Sequence, residues 1–237
     1  GYYSEFTAST NQTACQPGFY QPDVNQSECF AATAGFYVDS NASTNQTACL
    51  PGTYQPNTNQ SSCIDTDPGY YTENGSSAEQ NPCGLGTYQP DYGQLSCIDA
   101  DAGYYVDSTA QTIQIACPPG TYQPNTGQSS CIQTDSGYIS DPNDPTNQTA
   151  CPPGTYQPYS NQSSCLDADA GHFVANEGSS EQTPCPMGTY QPDYGQSSCL
   201  DADAGYYVPF INIGLYPESR FNQIPCQPGT YQPNEGQ

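Results

Sequence analysis

Paired carboxylates, asparagines in acceptor triplets and regularly spaced cysteines are the side chains of this chain that could do chemistry. Asp-x-Asp stands at Asp65/Asp67, Asp99/Asp101, Asp167/Asp169 and Asp201/Asp203. Hard oxygen ligands at alternate positions suit Ca2+, and bound cations would relieve a formal charge of −23. Two carboxylates are too few to close a site, and the first unit has Ala31 and Thr33 there. A solvated acidic loop is the commoner outcome, so no resident metal is expected. Asp99, Asp101, Asp167, Asp169, Asp201 and Asp203 are kept as weak Ca2+ candidates.

Asn-x-Ser/Thr occurs at Asn11, Asn25, Asn41, Asn45, Asn59, Asn74, Asn147 and Asn161, and covalent glycans are expected there. A Ser/Thr-rich repeat makes some of these triplets without purpose. That reading is strongest at Asn25, Asn59 and Asn161, where other units place Gly93, Gly127 and Gly195. Asn and Gly are the residues that enter the left-handed region most readily, so a backbone constraint explains that exchange. Asn11, Asn45 and Asn147 have no such cause, since Glu79, Ile113 and Glu181 stand there in other units.

The remaining chemistry is sparse. His172 takes the place of a Tyr or Phe, has no partner histidine and reads as an aromatic substitute. Cys-x-x-Cys is absent, and no acid–base constellation is visible, so an enzyme is not expected. One basic residue, Arg220, leaves no electrostatic footprint for nucleic acid or anionic lipid. No segment reaches the ~20 apolar residues of a membrane-spanning helix. No signal peptide stands at Gly1, so a mature or excised piece of a secreted protein is expected.

What positions these groups is a repeat. Cysteines fall at 15, 29, 49, 63, 83, 97, 117, 131, 151, 165, 185, 199 and 226, with gaps alternating 14 and 20 until a last gap of 27. The period is 34 residues, giving repeats 1–34, 35–68, 69–102, 103–136, 137–170, 171–204 and 205–237. The seventh carries a seven-residue insertion within 208–224 and stops before its second cysteine is due. Its null counterpart is a longer loop; its functional reading is a contact surface, with Arg220 facing an acidic loop such as Asp99/Asp101. Thirteen cysteines in 237 residues belong to an oxidising compartment, where disulfides hold units too small for a core.

Two disulfide registers are open. One joins the 14-spaced pairs, Cys15–Cys29, Cys49–Cys63, Cys83–Cys97, Cys117–Cys131, Cys151–Cys165 and Cys185–Cys199, and leaves Cys226 unpaired or intermolecular. The other bridges the longer gaps and leaves Cys15. The first is favoured because its spacing never varies.

Proline recurs too densely for long helices. Pro17-Gly18, Pro51-Gly52 and Pro119-Gly120 read as centres of type II turns, "TYQP" as a short extended stretch, and "NTGQ" or "DYGQ" as a second turn. The result is one small hairpin per unit. Each unit is marginal alone, so neighbours are expected to stack Tyr70-Tyr71, Tyr104-Tyr105 and Tyr206-Tyr207 on Tyr54, Tyr88 and Tyr122. The fold class is small disulfide-rich β: an elongated tandem-repeat rod of 34-residue hairpin modules with little regular secondary structure.

The run C-P-P-G-T-Y at 117–122 and 151–156, followed by G-Q-S-S-C or N-Q-S-S-C, resembles the ephrin-receptor-like cysteine-rich repeats. The resemblance covers about half of each unit. It implies an extracellular array of disulfide-stapled β modules and carries no catalytic residues. This chain has two cysteines per unit where that family has about four.

These features predict a secreted or cell-surface structural glycoprotein, a rod that forms or decorates a fibre, stalk or coat. The expected partners are other copies of itself, with no membrane insertion. The alternative is an adhesin or receptor ectodomain that binds through the 208–224 insertion, with Ca2+ as a candidate ligand.

Overall fold

The computed structural model describes residues 1–5, 11–209 and 220–236. Left-handed glycines set its architecture. They recur every 17 residues from Gly18 to Gly205, with φ between 78 and 90° at Gly18, Gly35, Gly52, Gly69, Gly86, Gly103, Gly120, Gly137, Gly154, Gly171, Gly188 and Gly205. Each is the third residue of a four-residue turn. In two such turns Thr53 N–H donates to Leu50 O at 3.0 Å and Tyr70 N–H donates to Asp67 O at 3.0 Å. A glycine is the residue that meets this positive φ without steric cost.

After each glycine, two residues run extended and pair with a second short strand about eleven positions on. Tyr70–Tyr71 pairs antiparallel with Asn81–Pro82, and Thr87–Tyr88 pairs with Ile98–Asp99. Thirteen such two-stranded sheets, and no helix, are found among the described residues. We call the seven coils that open the 34-residue units A coils, and those beginning at Gly18, Gly52, Gly86, Gly120, Gly154 and Gly188 B coils. The sequence pointed to one hairpin per unit; the unit holds two of the same kind.

Backbone bonds stack the coils. Gly18 N–H donates to Val38 O in the next coil at 2.8 Å, and Gln21 N–H to Ser43 O at 3.0 Å. Other bonds skip one coil: Ala42 N–H to Cys15 O and Asn59 N–H to Ala32 O, both 2.8 Å. A loops therefore follow A coils and B loops follow B coils, so one 34-residue unit is a full turn. The approach is close. A Cβ placed on Gly52 would lie 2.3 Å from Gly93 O, and one on Gly86 would lie 2.1 Å from Gly127 O.

The core differs from the expected aromatic stack. Its fully buried side chains are small or amidic: Cys49, Cys83, Val38, Val106, Ala100, Thr66, Thr72 and Gln21 among them. Tyr54, Tyr70, Tyr71, Tyr88, Tyr104, Tyr105 and Tyr122 are half-buried, and Tyr206 and Tyr207 are exposed. Two-residue strands present too little width to cover a phenol ring on both sides. Cohesion falls instead to backbone bonds and to the buried Gln of "TYQP". Gln55 is a worked case: its Nε2 donates to Ser62 O at 2.8 Å and its Oε1 accepts Asn57 N–H at 3.0 Å. Gln89, Gln157 and Gln191 repeat the arrangement. A coils put Val38, Thr72, Val106 or Val174 at that place and tie the loop by a serine, as in Ser43 Oγ to Ser40 O at 2.8 Å.

The fifth A coil departs from the rest. In its run S-D-P-N-D-P-T-N, Asp144 occupies the loop position that is left-handed as Ala42, Ser76 and Ala110 in other A coils. Asp144 precedes Pro145, and a residue before proline is driven to extended geometry. The loop closes instead as a longer hairpin, Tyr138–Asp141 against Asp144–Ala150, around the two-residue turn Pro142-Asn143.

The chain falls into two compact units, Gly1–Ile115 with Thr126–Ser130, and Ala116–Asn125 with Cys131–Gln237. The stacking pattern holds within each.

Candidate functional site

The groups singled out by their chemistry sit at two kinds of place: the junctions between coils and the outer loops. At the junction from an A coil to its B coil stands a disulfide. Six bridges join Cys15–Cys29, Cys49–Cys63, Cys83–Cys97, Cys117–Cys131, Cys151–Cys165 and Cys185–Cys199, with Cα–Cα separations of 5.7–5.9 Å. Cys226 carries a free thiol and is half-buried.

At the junction from a B coil to the next A coil the equivalent positions hold Ala or Thr and Gln. The second carboxylate of each Asp-x-Asp grips that Gln. Gln80 Nε2 donates to Asp67 Oδ2 at 2.7 Å while Gln80 Oε1 accepts Asp67 N–H at 2.8 Å. The same two-bond clamp joins Asp101 to Gln114, Asp135 to Gln148, Asp169 to Gln182 and Asp203 to Gln223. In the first junction Thr33 replaces Asp and bonds Gln46 through its N–H and hydroxyl. The first carboxylates lie elsewhere: Asp65, Asp99, Asp167 and Asp201 rest beside Gly93, Gly127, Gly195 and Gly236. Each Asp-x-Asp thus divides between two neighbours, and no cluster of three or more candidate metal ligands occurs among the described residues. The clamp escaped the sequence reading, although Gln recurs 13 residues after each of these aspartates.

All eight sequon asparagines are exposed. Seven lie in the outer loops between paired strands, and Asn147 lies on the longer strand Asp144–Ala150. Asn25, Asn59 and Asn161 are left-handed, with φ of 61, 63 and 61°, as are Gly93, Gly127 and Gly195 in equivalent loops. Ala42, Ser76 and Ala110 adopt the same conformation without that preference. The Asn147 amide donates to Thr146 Oγ1 at 3.0 Å and Asp144 Oδ2 at 3.3 Å. Hydrogen bonds from the Thr146 hydroxyl, the Asn147 amide and the Thr146 N–H lower the Asp144 pKa below the usual carboxylate range.

His172 opens the strand His172–Phe173, paired with Thr183–Pro184 as a tyrosine would be, with Nδ1 3.5 Å from Ala170 O. Within the seventh unit, residues 210–219 of the insertion lie outside the described residues. Arg220 serves the coil stack: its guanidinium donates to Cys185 O, and its carbonyl accepts Gln191 N–H at 2.8 Å. The first bond matches the one that Ala42 N–H makes to Cys15 O, so the insertion returns to the repeat at this residue.

Among the described residues no helix is long and apolar enough to cross a membrane. The disulfides and their spacing fit an extracellular or secreted protein. No protein-family model matches the chain, and no curated protein matches it. What stands is a cysteine-rich tandem repeat of hairpin modules with a disulfide every 34 residues.

Proposed function

We propose that this chain is an extracellular structural glycoprotein, a disulfide-stapled rod that forms or decorates a fibre, stalk or cell-surface coat through contacts with other copies of itself. The supporting observation is the division of labour within each coil. Every junction is held by a staple or a clamp, while the acceptor asparagines stand exposed on the loops. Such a coil can repeat without limit, and sugars on its loops leave the junctions untouched. The free thiol of Cys226 suits covalent linkage between copies.

Small-angle scattering tests the rod. A compact globule of this length has a radius of gyration of about 18 Å, and the proposal expects more than about twice that. A value near the lower figure overturns it. Intact mass before and after enzymatic removal of N-glycans, on protein from a glycosylating secretory host, tests the decoration: loss of mass at most of the eight sites is expected, and none contradicts it.

A further inference from the structure

We propose that Cys117–Cys131 is a thiol-exchange site: the one bridge of the six at which a low-molecular-weight thiol forms a mixed disulfide with the folded chain.

The observation is a difference in burial among equivalent sulfurs. The A-coil cysteines Cys15, Cys49, Cys83, Cys151 and Cys185 are 0–1% exposed. Cys117 is half-buried, although its bridge has the same sequence separation and the same register. Their partners Cys29, Cys63, Cys97, Cys131, Cys165 and Cys199 are all half-buried, so the partners do not distinguish the six.

The cause lies in the fifth A coil. Elsewhere a left-handed loop residue, two coils on, lays its N–H on the cysteine carbonyl and covers the sulfur. Ala42 does so for Cys15, Ser76 for Cys49, Ala110 for Cys83 and Gly178 for Cys151. For Cys185 the guanidinium of Arg220 takes that carbonyl. The residue due over Cys117 is Asp144. Pro145 holds it extended, and it pairs with Asp141 within its own hairpin instead. The cover over Cys117 is withdrawn by two prolines, Pro142 and Pro145.

Exposure at this sulfur opens both directions of exchange. In the first, a thiolate attacks Cys117 Sγ, forms the new S–S bond there, and Cys131 leaves as a thiolate that takes a proton from water. In the second, attack at Cys131 expels Cys117. At the other five bridges the first route is blocked by burial. The second expels a thiolate into an apolar interior, where its pKa is raised and it leaves slowly. At Cys117 the leaving thiolate meets solvent. The exchange is redox-neutral: one S–S bond is made for each one broken, and the attacking thiol is the sole co-reactant. The inference rests on burial alone and is independent of where the protein resides.

The test uses the full chain, folded, with reduced glutathione as the probe. Samples are quenched with an alkylating agent at intervals and mapped by peptide mass. Glutathione adducts and alkylated thiols should appear at Cys117 and Cys131 at least about tenfold faster than at any other bridge. Equal rates at the six bridges, or a different bridge leading, overturns the proposal. The variant Asp144→Gly with Pro145→Ala, which permits the left-handed loop, should bring this bridge back to the rate of its neighbours. An unchanged preference in that folded variant contradicts the assigned cause.

Discussion

The two junctions of the repeat make an instructive pair. From A coil to B coil the chain is joined covalently, as in Cys83–Cys97 across 14 residues. From B coil to A coil the same two places hold Ala100 and Gln114, again 14 residues apart, and cohesion passes to the Asp101–Gln114 clamp. The backbone geometry is shared: Cys83 N–H donates to Gly69 O at 2.8 Å, and Ala100 N–H donates to Gly86 O at 2.8 Å. One coil geometry thus accepts either a covalent or a hydrogen-bonded fastening. The fold therefore resides in the glycine turns and backbone bonds, and the fastening tunes its stability.

The largest expected effect comes from breaking the covalent side. Cys83→Ala with Cys97→Ala should cost about 3 kcal/mol, the value for a closed loop of roughly 15 residues. Asp101→Ala, at the exposed clamp, should cost only about 1 kcal/mol. Denaturant unfolding of the two variants measures the ratio, and equal losses would remove the distinction.

Next comes the buried amide. Gln55→Leu keeps the volume but strands the Asn57 N–H and the Ser62 carbonyl, so a loss of about 2 kcal/mol is expected. A shift within experimental error in the same unfolding assay would show that water satisfies both groups.

A smaller effect of opposite sign separates the loops. Ala110 sits at φ 58°, a left-handed cost that B loops avoid with Gly or Asn. Ala110→Gly should raise stability by about 0.5–1 kcal/mol, whereas Gly93→Ala should lower it by at least as much. Stabilisation by Gly93→Ala would contradict the reading.

The smallest effect is alkaline. Burial raises the Tyr54 phenol pKa above its ordinary value, and the Asp67 carboxylate raises it further. Tyr156 is raised by burial, then by Asp169 and Tyr159. A raised folded value means that the unfolded chain loses its proton first. This stability is complete below about pH 10 and is lost as pH climbs through the folded value. Melting temperature followed from pH 9 to 11 should fall less steeply in Tyr54→Phe and Tyr156→Phe; identical slopes would refute the coupling.

Much of this was legible in the sequence, for physical reasons. Invariant 14-residue cysteine spacing marks the 34-residue turn, and Pro51-Gly52 marks a positive φ that few residues tolerate. The exchange of Asn161 for Gly195 marks the left-handed tip. The A hairpin was hidden because its fastening uses Gln114 and Asp101, residues that read as ordinary surface polarity. Its signature was the glycine-aromatic pair at 17-residue spacing, such as Gly35-Phe36 after Gly18-Phe19. The aromatic stack was misread because composition gives the number of tyrosines but not the width of the strands that must cover them. The labile bridge needed structure, since Pro145 acts on Cys117 across 28 residues of sequence.

The equivalence of the two junctions is the central claim, and adding a bridge where nature placed a clamp tests it most directly. Ala100→Cys with Gln114→Cys puts thiols on the two equivalent places. Non-reducing peptide mapping of the oxidised variant should find a bridge between positions 100 and 114 alongside the six native ones. Free thiols at both positions, or native cysteines drawn into new pairings, would contradict it.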